Sequence, residues 1–334
     1  MKEITTLAID LAKRVFQLHG TDAQGHARLC RQVRRAQLPQ LLATLPRCTV
    51  VMEACASAHY WGRVASSLGH TVRLIAAQHV KAFARGQKND RNDAEAIACA
   101  ARQPGLPSVA LKSQEQQAVL AVHAIRERLI RERVALVNQL HGLLGEFGVV
   151  LPRALQALKR TVLQRLDEGG VPPLLQGVLR EQLEHLRALE AHLSATTKKL
   201  EQLARHSEPC QRLMRHRGVG PIIASAFVAE IADAKAFHNG RQVAAWLGLV
   251  PRQHSSGSRI QLLGITKRGN SYLRKQLIHG ARAALRWAGR SEDPVSRWAL
   301  NVQQRRGFNR ACVALANKTA RHLWASLRYE PALA

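Results

Sequence analysis

The first 112 residues alternate short apolar strands with amphipathic helices, and this pattern constrains the fold more than any other feature of the chain. Runs of apolar and β-branched residues predict strands at 4–11, 15–21, 27–33, 49–54 and 71–77. Helical spacing predicts helices at 37–45, 57–68 and 93–102, and Asn89 is placed to cap the last of them. Three strands followed by a helix–strand–helix–strand order predict an α/β domain built on a mixed sheet.

The rest of the sequence is typical of helices. A helix is predicted over 114–147, and a second follows Pro172 and Pro173 with leucines at alternating four- and three-residue steps. Such an imperfect heptad seam indicates an antiparallel hairpin or a dimer contact, although packing of the two helices on their own domain explains it equally well. The seam leucines are Leu179, Leu183, Leu186, Leu193 and Leu200. We therefore predict an α/β domain at 1–112, a helical coiled-coil assembly region at 113–205, and an all-α domain at 206–334 with a loop at 250–264.

The charge of the chain indicates a polyanionic partner. It has 50 Lys and Arg against 23 Asp and Glu, a net charge of +27, and residues 206–334 alone account for +15. An excess of this size favours nucleic acid over an anionic membrane. No apolar run reaches the ~18 residues that span a bilayer, and the N-terminus does not resemble a signal peptide. Six scattered cysteines without a C-x-x-C pair fit a reducing compartment. We expect a cytoplasmic protein that acts on nucleic acid and is not associated with a membrane.

Acidic residues are scarce in the first 112 residues, and four of the seven fall at strand ends or at a helix start. Asp10 and Glu53 end apolar strands, while Asp90 and Asp93 lie three residues apart on one face of a helix. Four carboxylates that converge at one sheet edge would repel each other unless they held Mg²⁺, a cation suited to phosphodiester chemistry. Taken singly, each could instead be a turn residue or a charge that faces the helix dipole.

The order strand-Asp, strand-Glu, helix-Asp-x-x-Asp resembles the ribonuclease-H-like fold, and within it the Holliday-junction resolvase RuvC. Longer phrases resemble the DEDD transposases of bacterial insertion sequences, the bridge-RNA-guided recombinases. These phrases are AIDLAKRVFQLHG at 8–20, MEACASAHYW at 52–61 and GQKNDRNDAEAIA at 86–98. The resemblance implies a catalytic Mg²⁺ site, in which Mn²⁺ can substitute, formed by Asp10, Glu53, Asp90 and Asp93. It also implies donor and target DNA as substrates, an element-encoded guide RNA, and a homodimer or homotetramer whose subunits share each site. A member of this family is expected to be bacterial and associated with the nucleoid.

A second signature of that family is a P-R-x-x-x-S-G loop with a nucleophilic serine, which corresponds here to Ser256 before Gly257. The neighbouring Ser255 and Ser258 leave the assignment open by a position or two. Without the resemblance, these serines are equally typical of a solvated loop. The resemblance implies that Ser256 attacks a DNA phosphate and forms a transient covalent link.

Several residues of the last third are expected to contact nucleic-acid phosphates. A Gly-Val-Gly turn before an apolar helix resembles a helix-hairpin-helix, in which glycines let backbone N–H groups approach phosphate. Basic residues downstream of the serines could hold the same groups, although a solvated basic helix face explains them nearly as well. The candidates are Gly218, Gly220, Lys267, Arg268, Arg274 and Lys275.

Two other functions remain open from the sequence. A structure-selective endonuclease of the resolvase type would use the same carboxylates without serine chemistry, so Ser256→Ala would leave it active and Asp10→Ala would not. A non-catalytic nucleic-acid-binding protein would bind DNA in a salt-dependent way and show no metal-dependent cleavage.

Overall fold

We analysed a computed structural model of the chain, which describes residues 3–85, 87, 89–257 and 259–329. Its N-terminal part is built on a six-stranded mixed sheet with the strand order β3-β2-β1-β4-β5-β6. Strands β1, β2 and β3 form an antiparallel meander, β1, β4 and β5 are parallel, and β6 pairs antiparallel to β5. The strands are β1 (Thr6–Leu11), β2 (Val15–Thr21), β3 (Ala27–Arg34), β4 (Thr49–Glu53), β5 (Thr71–Ile75) and β6 (Ser108–Val109).

Helices cover both faces of this sheet. The helices of this part are α1 (Leu38–Thr44), α2 (Ala58–Ser67), α3 (Ala77–Val80) and α4 (Asp90–Ala101). Because side chains alternate along a strand, Leu7 and Ile9 of β1 join a core with Trp61 of α2, while Ala8 between them packs with Ile97 of α4. The predicted mixed α/β class is confirmed. The predicted elements recur with ends shifted by up to three residues. Among the described residues of this part, α3, the two-residue β6 and two short 3-10 helices at 35–37 and 81–83 were not predicted.

Three helices follow: α5 (Gln114–Gly145), α6 (Leu155–Asp167) and α7 (Pro173–His206). Leu179, Leu183 and Leu186 of the predicted seam are buried in one core with leucines of α5 and α6. Glu190 of α7 forms an ion pair with the largely buried Lys159 of α6. These seam leucines are therefore occupied by packing within the chain, the second of the two interpretations given above. Self-association of this region stays a prediction.

The last part is mostly helical, with α8 (Glu208–Met214), α9 (Pro221–Ile231), α10 (Gly240–Trp246), α11 (Ser271–Trp287), α12 (Pro294–Arg306) and α13 (Phe308–Arg328). Helix α13 packs against α8, α10, α11 and α12, and its buried face includes Leu315, Leu323 and Trp324. The Gly/Ser-rich interruption is a two-stranded antiparallel hairpin, β7 (Pro251–Gln253) and β8 (Leu262–Ile265), where the sequence predicted a loop.

The chain groups into two compact units. One holds the chain up to Gln117 together with Glu230–His238, and the other holds Ala118–Ala229 and the chain from Asn239 onward. The returning segment is joined to the first unit by the Lys112–Glu230 ion pair at 3.7 Å. The separate central domain at 113–205 stays a prediction. Within the described part of the chain, no helix is both long and apolar enough to cross a membrane.

Candidate active site

Two of the four predicted carboxylates lie side by side at the carboxyl ends of parallel strands. Strands β1 and β4 are in register up to the pair Ile9–Met52, and Asp10 and Glu53 are the next residue on each strand. Alternation places both on the face that Ala8 presents to α4. The strand register therefore brings together two residues that are 43 positions apart in the sequence.

The other two carboxylates come from the first turn of α4, which packs on that same face. Asp90 is the first residue of the helix and Asp93 lies three residues later, so both point toward the same side. The side chain of Asn89 caps the helix by accepting a hydrogen bond from the Asn92 N–H at 2.8 Å, as the sequence predicted. The Asn92 amide then donates to the Gln87 carbonyl at 2.8 Å and holds the preceding loop. The start of α4 is thus fixed by side-chain contacts.

The charges of the other three carboxylates all act on Asp10, and the four residues together are called the carboxylate cluster. Burial raises the pKa of Asp10, and the negative charges of Asp93, Asp90 and Glu53 raise it further, to about 6. The Cys55 thiol also lies in this field: burial and then the charges of Glu53 and Asp10 raise its pKa. Three carboxylates whose charges raise the pKa of a fourth favour binding of a proton or a cation at that fourth group.

The chemistry of this donor set fits a divalent metal. All four side chains offer carboxylate oxygens, the ligands that Mg²⁺ and Mn²⁺ prefer, and a bound cation would relieve the repulsion that raises the pKa of Asp10. Among the described residues, no group of three or more acidic, histidine or cysteine side chains is close enough to enclose an ion as it stands. Metal binding would therefore require the carboxylates to move closer together.

Three residues near this cluster were not predicted from the sequence. Cys55 lies two residues after the end of β4. Ser57 has a left-handed backbone with φ of 70°, a strained conformation that functional sites often contain. His19 of β2 pairs with Ala8 of β1, and its Nδ1 atom is buried without a hydrogen-bond partner among the described residues. None of the three stands out in the sequence, because their positions follow from strand register and loop geometry.

The candidate nucleophile lies at the tip of the β7/β8 hairpin. The Ser256 N–H donates to the Arg259 carbonyl at 3.3 Å, and the Arg259 N–H donates to the Ser256 carbonyl at 3.1 Å, so the two residues close a tight turn. Gly257 within this turn has φ of +53°, a left-handed conformation that favours glycine. Ser256 and Arg259 are both exposed. The serine is therefore exposed to solvent and is hydrogen-bonded through its backbone to a residue, Arg259, whose cation the sequence analysis did not single out.

The hairpin distinguishes among the candidate serines. The Ser255 hydroxyl accepts a hydrogen bond from the Gln261 N–H at 3.2 Å, so it closes the hairpin. For the Ser256 hydroxyl, no hydrogen-bond partner is found among the described residues. Ser258 lies outside the described residues. The assignment of Ser256 as nucleophile stays a prediction, and the engaged hydroxyl of Ser255 makes that residue the weaker alternative.

The four predicted basic contacts fall into two groups. Arg274 donates to the backbone carbonyls of Leu247 and Arg268, both at 2.9 Å, and Lys275 forms an ion pair with Glu127. Both cations therefore have structural partners within the protein. Lys267 and Arg268 are exposed just after β8, and Lys267 has an unusual φ of 57°. Of the four, these two are the better placed to meet a phosphate.

The two glycines of the predicted helix-hairpin-helix have different environments. Gly218 has φ of +75°, and a Cβ atom there would lie 2.4 Å from the carbonyl oxygen of Gly280 on α11. Gly220 has open space where a Cβ would lie. Gly218 is thus required by close backbone packing, whereas the space at Gly220 leaves room for a ligand to approach the backbone.

Comparisons with known proteins give the family. The chain matches the DEDD transposase profile of IS110 elements, described as Transposase, at residues 7–148, and the profile described as Transposase IS116/IS110/IS902 family at residues 210–296. The first match spans all four candidate carboxylates, and the second spans the Gly-Val-Gly turn and the serine hairpin.

Three relatives can be aligned with this chain over almost their whole length. A probable family 20 transposase of Pseudomonas aeruginosa is 48% identical, with 98% of both chains covered. The transposase for insertion sequence element IS1111A of Coxiella burnetii is 43% identical, over 98% of this chain and 90% of its own. The transposase for element IS1328 of Yersinia enterocolitica is 37% identical, over 97% of both. The chain therefore belongs to the IS116/IS110/IS902 family of insertion-sequence transposases and is a DNA transposase.

Proposed function

We propose that this transposase cuts and rejoins DNA through a divalent-metal carboxylate site together with a serine nucleophile, Ser256, and that an element-encoded RNA selects the DNA sites. The observation that supports the proposal most strongly is the convergence of Asp10 and Glu53 with the first turn of α4. In a chain with net charge +27 and few acids, this cluster raises the pKa of Asp10 to about 6. Such a concentration of negative charge stabilises the fold only if it binds something positive.

Asp10, Glu53, Asp90 and Asp93 are proposed to hold Mg²⁺, with Mn²⁺ as a possible substitute. When bound, the cation would supply charge neutralisation for the phosphate oxygens and the leaving oxygen. The chain's own contribution is to fix two carboxylates by strand register and two by a capped helix start. This arrangement keeps four like charges near one another without help from flexible loops.

Ser256 is proposed to exchange one phosphate ester for another. Its Oγ attacks the phosphorus of a DNA phosphodiester, forming a Ser–O–P bond as the bond to one deoxyribose oxygen breaks. The serine proton leaves with the released DNA hydroxyl, and a hydroxyl of the other DNA strand reverses the step. Because the ester bond is conserved in the link, strands can be rejoined without a high-energy cofactor. Exposed cations around the hairpin, Arg259, Lys267 and Arg268, are positioned to hold phosphate.

Target selection by RNA pairing and assembly as a dimer or tetramer complete the proposal. The support is the resemblance of the sequence to bridge-RNA-guided recombinases and the large positive charge, which is suited to two polyanions at once. If base pairing reads the sequence, the protein needs to recognise only backbone and shape.

The proposal is tested by a recombination assay with purified protein, Mg²⁺, the non-coding RNA of the element, and donor and target DNA. We expect a covalent protein–DNA adduct on a denaturing gel and a joined DNA product. Ser256→Ala should abolish both, because no hydroxyl is left to form the link. Ser255→Ala is the matched control and should retain both, since its hydroxyl only closes the hairpin.

Leaving out one component of this assay at a time tests the parts of the proposal separately. Chelation of divalent metal should abolish the adduct, and omission of the RNA should abolish joining at the selected site. Equal cutting by wild type and Ser256→Ala without any adduct would instead identify a resolvase-like nuclease. No cleavage under any condition would favour a protein that only binds nucleic acid.

A further inference from the structure

Two basic clefts on the second unit share a lining residue, and together they are called the groove; none of the described residues of the serine hairpin lines either of them. The first, about 240 Å³, lies between the turn before α9 and helices α11, α12 and α13, and Arg215, His216 and Arg217 line it. The second, about 370 Å³, lies between the start of α10 and α13 and is lined by Arg241 and Arg321. His322 of α13 lines both clefts. Each cleft has room for several waters at ~30 Å³ apiece, so a solvated ionic group fits.

The charge of this groove is not balanced by the protein. Asp293 is the only carboxylate among the described lining residues, and it pairs with Arg217 at 3.3 Å. The Asp293 oxygens also accept from the backbone N–H groups of Val295 and Ser296, since Asp293 caps α12. For the exposed Arg215, Arg241 and Arg321, no carboxylate partner is found among the described residues. The groove therefore presents three exposed guanidinium groups that an anion can bind.

The walls of the groove are held by close backbone contacts. A Cβ at Gly240 would lie 3.0 Å from the Cα of Arg321, so the start of α10 lies directly against α13. The turn that follows Arg217 is pressed against α11 through Gly218. His216 is fixed by a 2.8 Å hydrogen bond between its Nε2 and the Ser326 hydroxyl of α13. The cations thus project from a fixed frame, which lowers the entropic cost of binding.

We propose that this groove, bounded by Arg215, Arg241, Arg321 and His322, binds the phosphodiester backbone of a nucleic acid. Guanidinium groups bind phosphate in bidentate fashion, and the two histidines add N–H donors. This proposal rests on the proposed function in one respect: the ligand is a nucleic acid. It does not depend on the chemistry of the carboxylate cluster or of Ser256, since neither lines the groove. The sequence analysis placed a phosphate contact at the glycines of the Gly-Val-Gly turn. The proposal adds the side chains that precede this turn and those of α13 to the phosphate site.

The test is fluorescence-anisotropy binding with the full chain in EDTA, where metal-dependent cleavage is absent. The probes are a short duplex DNA, a single-stranded DNA and an RNA, each titrated at several KCl concentrations. Arg215→Ala/Arg321→Ala should weaken binding of at least one probe about tenfold or more near physiological salt. Loss of two phosphate contacts should also reduce the slope of log K against log salt by about 1.8 on duplex DNA or about 1.4 on a single strand. Failure of the serine chemistry would leave these results unchanged.

A matched control removes two exposed arginines elsewhere in the same unit. Arg160→Ala/Arg187→Ala changes the net charge equally on α6 and α7, and binding should weaken less than about threefold. Weaker binding by Arg215→Ala/Arg321→Ala would support the proposal whether it is seen with the DNA probes alone, with RNA alone or with all three. The probes that lose affinity identify the ligand of the groove. Equal losses for the groove and control variants would overturn the proposal. If Arg215→Ala/Arg321→Ala melts earlier in circular dichroism, the single variant Arg241→Ala decides, with about half the change in slope expected.

Discussion

Acidification is expected to destabilise the helical unit through a single buried histidine, His123 of α5. This side chain is 1% exposed, and its Nε2 lies 3.0 Å from the Ser225 hydroxyl of α9 while its Nδ1 lies 2.9 Å from the Tyr272 hydroxyl of α11. Because Ser225 donates its own proton to the Pro221 carbonyl at 2.7 Å, it must accept from His123. Nδ1 then accepts from Tyr272. The network is satisfied only when the imidazole is neutral.

The cost of protonating this histidine follows from its pKa. Burial, followed by the nearby charge of Arg126, lowers the pKa of His123 from 6.5 to about 4. The unfolded chain therefore binds a proton between pH 6.5 and 4 that the folded chain does not, and stability falls as the pH falls through this window. At ~1.4 kcal/mol per pH unit, the contribution of this group between pH 7.5 and pH 4.5 is about 2.5 kcal/mol.

Urea denaturation followed by circular dichroism measures this contribution. The difference in unfolding free energy between pH 7.5 and 4.5 should be about 2.5 kcal/mol smaller in His123→Gln than in wild type. His185→Gln, on the exposed face of α7, is the control and should retain the wild-type difference. Equal pH dependence of His123→Gln and wild type would refute the reasoning, even if the variant is less stable at every pH.

Three further changes test other parts of the structure. Gly218→Ala should lower the melting temperature in differential scanning fluorimetry by the equivalent of about 2 kcal/mol or more, because the new Cβ would meet a backbone oxygen at a residue with positive φ. Gly220→Ala is the control and should leave the melting temperature unchanged, because a Cβ there lies in open space. Equal shifts for the two variants would contradict this reasoning. Asp10→Asn should raise the melting temperature in EDTA at pH 7.5, because the pKa of Asp10 is raised and ionisation therefore opposes folding. The same variant should form no DNA adduct. An unchanged or lower melting temperature would contradict the claim that ionised Asp10 opposes folding. Glu190→Gln should lower the free energy of unfolding in urea denaturation by about 3 kcal/mol, because the buried charge of Lys159 is left without its partner. Adding Lys159→Met should restore most of this stability. Additive losses for the two substitutions would show that the side chains do not interact.

The elements that the sequence predicted best are those with a long amphipathic pattern. The mixed sheet with its flanking helices and the long helices α5 and α7 follow from periodicity, because each buries one face. Helix α6 and the β7/β8 hairpin were not predicted. The hairpin strands have three and four residues, are exposed, and lie in a Gly/Ser-rich segment, so no hydrophobic alternation marks them.

The candidate site shows the same division. The positions of Asp10 and Glu53 at strand ends, and of Asp90 and Asp93 at a helix start, were predictable because strand ends and helix starts can be located from patterns. The neighbourhood of Cys55 was not, because it depends on a loop conformation. The sequence also does not show whether a basic side chain already has a partner within the protein. Arg274 and Lys275 cannot be told from Lys267 by residue type, but Arg274 donates to backbone carbonyls and Lys275 pairs with a carboxylate.

The most direct test of the account is to identify the residue that is linked to DNA. The adduct formed with Mg²⁺, RNA and DNA would be digested with nuclease and trypsin, and the peptide between Arg252 and Arg259 would be sequenced by mass spectrometry. The account predicts a nucleotide remnant on Ser256 and none on Ser255. A remnant on Ser255 or Ser258 would contradict the assignment of Ser256, and a remnant on a residue outside this hairpin would contradict the proposed serine mechanism itself.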